Sequence, residues 1–189
     1  LICCNGSDRP RAYDGTTVSV LGQIAAPGAC TAALAGAGVG NVNAGTHSYK
    51  VTYITTAGET SAGTASNIVT TTAGDGQVNL TAIPVATETW VTQRKVYRTE
   101  AGGSTYKLLT TIANNTTTTY ADNIADATLG ATAPTANTSS GAPSTGSVVA
   151  THGNRVFLLD ETQKSRLSWC ALNNEEDWLT ASNAGSVQV

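Results

Sequence analysis

From His47 to Tyr53 the chain alternates, with His47, Tyr49, Val51 and Tyr53 interleaved by Ser48, Lys50 and Thr52. A period of two sends one set of side chains to a core and the other to water, so this stretch predicts a half-buried antiparallel strand. Thr56-Ala57-Gly58-Glu59-Thr60 follows as a hairpin turn in which Gly58 supplies the positive φ, and the return strand is expected over 64–71. Val78, Leu80 and Ala82 then alternate with Gln77, Asn79 and Thr81 up to Pro84, which has no N–H to give a ladder. Residues 92–99 and 105–112 flank Glu100-Ala101-Gly102-Gly103-Ser104, a Gly-Gly hairpin signal, and place Val96, Tyr106, Leu108 and Ile112 on the buried side. Short strands at short intervals, with no helical period, predict a β-sandwich over residues 45–130.

The flanks carry the same period in shorter pieces. Residues 1–23 read as a strand, a turn at Asn5-Gly6-Ser7-Asp8, a strand around 11–13, a hairpin at Asp14-Gly15 and an alternating strand over 17–21. Residues 24–44 are rich in Ala and Gly and read as a linker or a first edge strand, and residues 131–147 as a Ser/Thr/Pro/Gly linker. Residues 148–189 give a strand at 148–150, a turn at His152-Gly153-Asn154, strands at 156–159 and 166–170, and an acidic turn closing on Trp178. Strand, turn, strand, loop, strand is the content of one β-propeller blade, and residues 1–23 read as the last strands of a preceding one. The expectation is an all-β chain, a sandwich inserted into a partial propeller-like body.

Composition narrows the functions. A net charge of −3 on a chain that is 12% charged offers no basic face, so no nucleic-acid partner is expected. No apolar run is long enough for a membrane span, and no basic stretch precedes an apolar one at the amino end. The chain has no Met and begins in what reads as strand, which suggests a piece of a longer polypeptide. Cys3 and Cys4 are adjacent while Cys30 and Cys170 stand far apart, with no CxxC pair or His at ligand spacing, so zinc is not expected. Free thiols in a reducing cytosol, or one disulfide from Cys3 or Cys4 to Cys30 or Cys170, both fit.

Candidate chemistry is sparse. Gly36, Gly38 and Gly40 resemble a phosphate loop only superficially, because such a loop needs a strand before it and a helix after it. Asp122 and Asp126 can cap backbone amides or help hold calcium, though the alternating acidic loop of a calcium site is missing. His47 and His152, the only histidines, sit in strand and turn context without a nucleophile to activate. Glu175, Glu176 and Asp177 read as a solvated turn rather than as two acids facing across a cleft. Trp90, Tyr97 and Tyr120 either fill the core or stack a sugar ring. No catalytic residue, cofactor or metal is expected.

NGSDRPRAYDGTTVSVLG, from Asn5 to Gly22, and HGNRVFLLDETQKSRLSWCALNNEEDW, from His152 to Trp178, resemble paired segments of tailed-bacteriophage virion proteins. SYKVTYITTAGETSAG and RKVYRTEAGGSTYKLLTTI resemble the fibronectin type III or immunoglobulin-like inserts of such proteins. Cys170 stands where that pattern has Ser, and Asn173-Asn174 replaces a Gly/Asp-Pro turn. The resemblance implies a non-enzymatic virion component of the tail or head-to-tail junction, assembled in the host cytoplasm with other virion proteins and copies of itself into a ring or tube. The sandwich would project, with strand edges open to β-augmentation. The alternative is a secreted carbohydrate-binding or adhesin module with a host surface glycan as partner.

Overall fold

The structure, a computed structural model, describes residues 1–38, 40–179 and 183–189. The chain is all-β, and its one helical turn among the described residues is a 3₁₀ turn at Asp126–Thr128. It divides into two compact units, one of residues 1–24, 56–58 and 138–189, the other of residues 25–55 and 59–137. In the first unit β1 (Ile2–Cys3), β2 (Arg11–Tyr13) and β3 (Val18–Val20) form an antiparallel meander. Its second hairpin is fixed by Asp14, whose Oδ1 accepts the N–H groups of Thr16 and Thr17 at 2.8 Å each.

The second unit starts with β4 (Thr31–Leu34), so the edge-strand reading of the Ala/Gly segment is the one realised there. It continues through β5 (Gly45–His47), β6 (Tyr49–Ile54), β7 (Val69–Thr71), β8 (Val78–Thr81), β9 (Gln93–Thr99), β10 (Tyr106–Ile112) and β11 (Tyr120–Asp122). One sheet has the order β10-β9-β6, a second β11-β8-β4, and β5 pairs with β7. Both three-stranded sheets feed one core: Tyr49, Val51, Val96 and Ile112 from the first meet Ala32, Val78 and Leu80 from the second. Each large aliphatic chain buried there contributes ~1.5–3 kcal/mol of transfer free energy.

Three expectations for this unit fail for local reasons. The stretch from His47 to Tyr53, expected as one half-buried strand, divides at Ser48 into β5, which pairs with β7, and β6, which pairs with β9 and buries Thr52 of the expected polar face. Tyr106 and Leu108 are half-buried and lie outside the core, because a β-bulge between Leu108 and Thr110 shifts the phase, so that Leu109 packs with Ile112 instead. Tyr106 lies beneath the Lys50 ammonium, 4.8 Å from its ring centre. The return strand expected over 64–71 shrinks to β7. Before it, residues 60–66 follow β6 without regular pairing: the N–H groups of Thr60, Gly63 and Ser66 donate to Tyr53, Val51 and Tyr49 carbonyls. The Thr60 and Ser66 hydroxyls take the Tyr53 and Tyr49 N–H groups where carbonyls would otherwise serve.

The first unit resumes with β12 (Val148–His152), β13 (Arg155–Leu159), β14 (Arg166–Trp169) and β15 (Gly185–Gln188), an antiparallel sheet in sequence order. Gly153 and Asn154 both have positive φ, +54° and +58°, as a two-residue primed turn requires. Its core joins Leu21 to Ala142, Val156, Leu158, Cys170 and Trp178, with Ile2, Cys4 and Ala12 packed against it. The stretch read as a linker at 131–147 is partly built into this core. Ser139 and Ser140 are buried, the Ser139 hydroxyl accepting the Ile24 N–H and the Ser140 hydroxyl donating to Leu21 O.

Candidate functional site

Polar chemistry in the second unit is gathered by two inward-facing arginines. Arg94, Val96 and Arg98 share one side of β9, and both guanidinium groups are fully buried. Arg98 donates to Asp122 at 2.6 Å and to Asp126 at 2.7 Å, and the Tyr49 hydroxyl donates a hydrogen bond to the same Asp122 at 2.9 Å. Burial, then the Asp122 charge, push the Tyr49 phenol upward. Asp122 also accepts the Ile124 N–H, and Asp126 the Ala101 N–H. The two aspartates singled out by the sequence therefore come together on a guanidinium and on backbone amides, which fits the capping reading. Since β6 and β9 lie in one sheet and β11 in the other, the cluster ties the two sheets across their core.

Arg94 is held differently. Its N–H groups donate to the carbonyls of Pro84 at 2.8 Å, Asn114 at 3.1 Å and Thr117 at 2.5 Å, so it is a cation in a cage of backbone oxygens. Burial lowers it from the usual arginine range. Outside the core, Glu59 accepts hydrogen bonds from Lys95 at 2.7 Å, Thr52 at 2.6 Å and Tyr97 at 2.5 Å. Partial burial pushes this carboxyl up, but those three donors outweigh it and hold the group below the ordinary glutamate range. His47 is buried with Nδ1 2.8 Å from Thr99 O and Nε2 2.8 Å from Asn43 O. A neutral ring donates to one of these carbonyls and an imidazolium to both.

In the first unit a cleft of about 1160 Å³ is lined by residues of both sheets. Ile2, Ala12, Val149 and Val156 form its apolar wall, and Asp14 and His152 are among its polar groups. Glu175 and Glu176 line it, and Glu176 accepts the Gly22 N–H at 2.5 Å. Burial and the neighbouring Glu175 charge raise Glu176, against the lowering effect of that bond. Asp177 is buried instead, its Oδ1 accepting the Leu179 N–H, so the three successive acids have three different surroundings. His152 closes β12 opposite Arg155.

The other candidates fall into structural roles. Gly40 lies against Gly76, where an added Cβ would sit 2.1 Å from backbone, and the Gly38 N–H donates to Gly74 O. Tyr97 is buried and tied to Glu59, Tyr120 packs on the core, and Trp90 is half-buried. All four cysteines are free. Cys30 and Cys170 are buried, and burial pushes the Cys30 thiol up to about 11. No group of three or more His, Cys, Asp or Glu among the described residues could hold a metal ion, and no described helix is long and apolar enough to cross a membrane. Arg94 and Arg98 are the residues that sequence reasoning passed over, although their spacing of two on either side of Val96 puts them on the buried face. No protein-family model matches the chain, and no curated protein matches it.

Proposed function

We propose that the chain is a non-enzymatic structural component of a tailed-phage particle, at the tail or head-to-tail junction, with a fibronectin III- or immunoglobulin-like sandwich inserted into a propeller-like body. The observation that carries this reading is the interruption of the first unit: residues 1–24 and 138–189 contribute to one core, while the chain between them builds another. The antiparallel meander β12-β13-β14-β15 supports the propeller half of the proposal, and two sheets on one core support the sandwich half. The segments from Asn5 to Gly22 and from His152 to Trp178, which resemble phage virion proteins, both belong to the first unit. In this role the Arg98 cluster stiffens a projecting arm, and partners are copies of the chain and other virion proteins. Imaging the source particle and tracing this chain tests it. A ring of copies around a tail axis is the expected result. A lone monomer that retains immobilised glycans would overturn it in favour of the carbohydrate-binding alternative.

A further inference from the structure

We propose that Asn5 is a self-modification site, converting to aspartate or isoaspartate through its own Gly6, and that a hydrogen bond from Gly6 to Gly146 latches the reaction in the folded chain. Asn5-Gly6 is the only Asn-Gly pair in the sequence. Glycine has no Cβ to obstruct approach of its nitrogen to the preceding side chain. In the reaction the Gly6 nitrogen gives its proton to water or hydroxide and adds to Asn5 Cγ. The new C–N bond forms as the Cγ–Nδ2 bond breaks, and the amide leaves as ammonia with a proton from water, closing a succinimide. Water attack on the side-chain carbonyl breaks the new Cγ–N bond and gives aspartate, whereas attack on the main-chain carbonyl breaks the original peptide bond and leaves Gly6 linked through Cγ, giving isoaspartate. No oxidant, metal or enzyme is needed.

Asn5 is exposed, so water and base reach it. What restrains it is the attacking atom and the electrophile together. The Gly6 N–H donates to Gly146 O at 2.8 Å, a contact that joins the turn after β1 to the segment before β12. Asn5 Oδ1 accepts the N–H groups of Ser7 at 3.0 Å and Asp8 at 2.9 Å, while Nδ2 donates to Asp8 Oδ2 at 2.8 Å. The nitrogen is nucleophilic only after its bond to Gly146 opens, so the rate follows local opening at that contact rather than exposure of the side chain. Conversion has a structural consequence too. A carboxylate at position 5 loses the donor to Asp8 and sets like charges side by side, and isoaspartate lengthens the backbone of the turn joining β1 to β2.

The test is peptide mapping by mass spectrometry, with isoaspartate resolved from aspartate, on the full chain kept at mildly alkaline pH. The reference is a synthetic peptide of residues 2–11. In urea the chain should convert at the peptide's rate, and in the folded state at least about tenfold more slowly, as a locally closed amide would. Gly146→Val is the informative variant, because a side chain there must displace Pro10, Leu158 and Cys4, which lie 3.3–3.5 Å from the Cβ position. It should speed Asn5 conversion several-fold. Should that variant unfold, hydrogen exchange at the Gly6 amide of the native chain replaces it, and conversion should track exchange as temperature is raised. Folded protein that converts as fast as the peptide would overturn the latch. So would conversion that stays flat while Gly6 exchange quickens, and an Asn5 that survives unchanged in urea would overturn the site itself.

Discussion

Arg98 is a fully buried cation whose charge is met by Asp122 and Asp126, and this pairing decides what a substitution there does. Removing one partner of a buried pair leaves the other uncompensated in a low-dielectric core, at a cost of about 3–5 kcal/mol. Asp122→Asn should therefore lower the denaturant midpoint steeply with little change in slope, whereas Asp126→Asn, at a partly exposed carboxylate, should lower it less. Equal midpoints for the two would remove the cluster from the stability argument. Glu59 gives a pH signature. Its folded value lies below its unfolded one, so its contribution is complete above the ordinary glutamate range and disappears as pH falls through the depressed folded value. Glu59→Gln should cost up to about 1 kcal/mol at neutral pH, discounted for solvent access, and the gap to the parent should close in acid. A gap that widens in acid would reverse the sign assigned here. Cysteine chemistry belongs to the same scale. Iodoacetamide should label exposed Cys3 first and leave buried Cys30 and Cys170 unlabelled until denaturant is added, read by peptide mass.

At the scale of elements the strands were legible and their edges were not. Period-two alternation gave β8 and β9 to within a residue at each end, and in β8 one buried face specifies the register, whereas the stretch from His47 to Tyr53 divides into β5 and β6 and its expected polar face is buried at Thr52. The bulge in β10 was missed, since Tyr106, Leu108 and Ile112 still fall on even-spaced positions through it and read as one face. The edges were misread as open. Residues 129–133 run along β10, with the Leu108 N–H on Ala131 O and the Gly130 N–H on Leu108 O. Residues 60–66 cover β6, and the Asn67 side chain bonds both the N–H and the C=O of Ala32 on β4. Such coverage removes the template that a neighbouring strand would need, so β-augmentation at these three edges is not expected. The glycines also acquire a role that composition could not give them. Gly40 is needed for backbone contact with Gly76, while Gly36 has open space around its Cβ position and only a positive φ, +117°, to satisfy. Gly40→Ala should destabilise by about 1–3 kcal/mol, as overpacking does, and more than Gly36→Ala. Thermal midpoints of the two variants decide it; a larger loss for Gly36→Ala would move the weight from close approach to backbone conformation.

For the whole molecule the question is how an inserted unit and its host share stability. Each unit has its own core, so a cooperative transition for each is expected rather than one for the chain. Chain connectivity supplies one coupling between them. Within the second unit, the Thr64 N–H donates to Pro27 O and the Ala62 N–H to Pro134 O, so folding brings its two ends to the same short stretch. A folded second unit thus presents the first with a closed loop. Once it unfolds, the same residues become a long flexible insertion, and closing a loop costs entropy that rises by only ~0.6 kcal/mol per doubling of length, a few kcal/mol in all. The dependence runs mainly one way. Leu158→Ala, which empties a fully buried site, should lower the first unit's transition by about 2–5 kcal/mol and leave the second unit's nearly in place. Asp122→Asn should lower the second unit's transition and, where that unit now melts first, pull the first unit's down by a smaller amount. Hydrogen exchange at Val156 and Leu158 for the first unit and at Val51 and Val96 for the second reads both transitions in one titration. Identical shifts at every probe for both variants would mean that the chain unfolds as a single cooperative body.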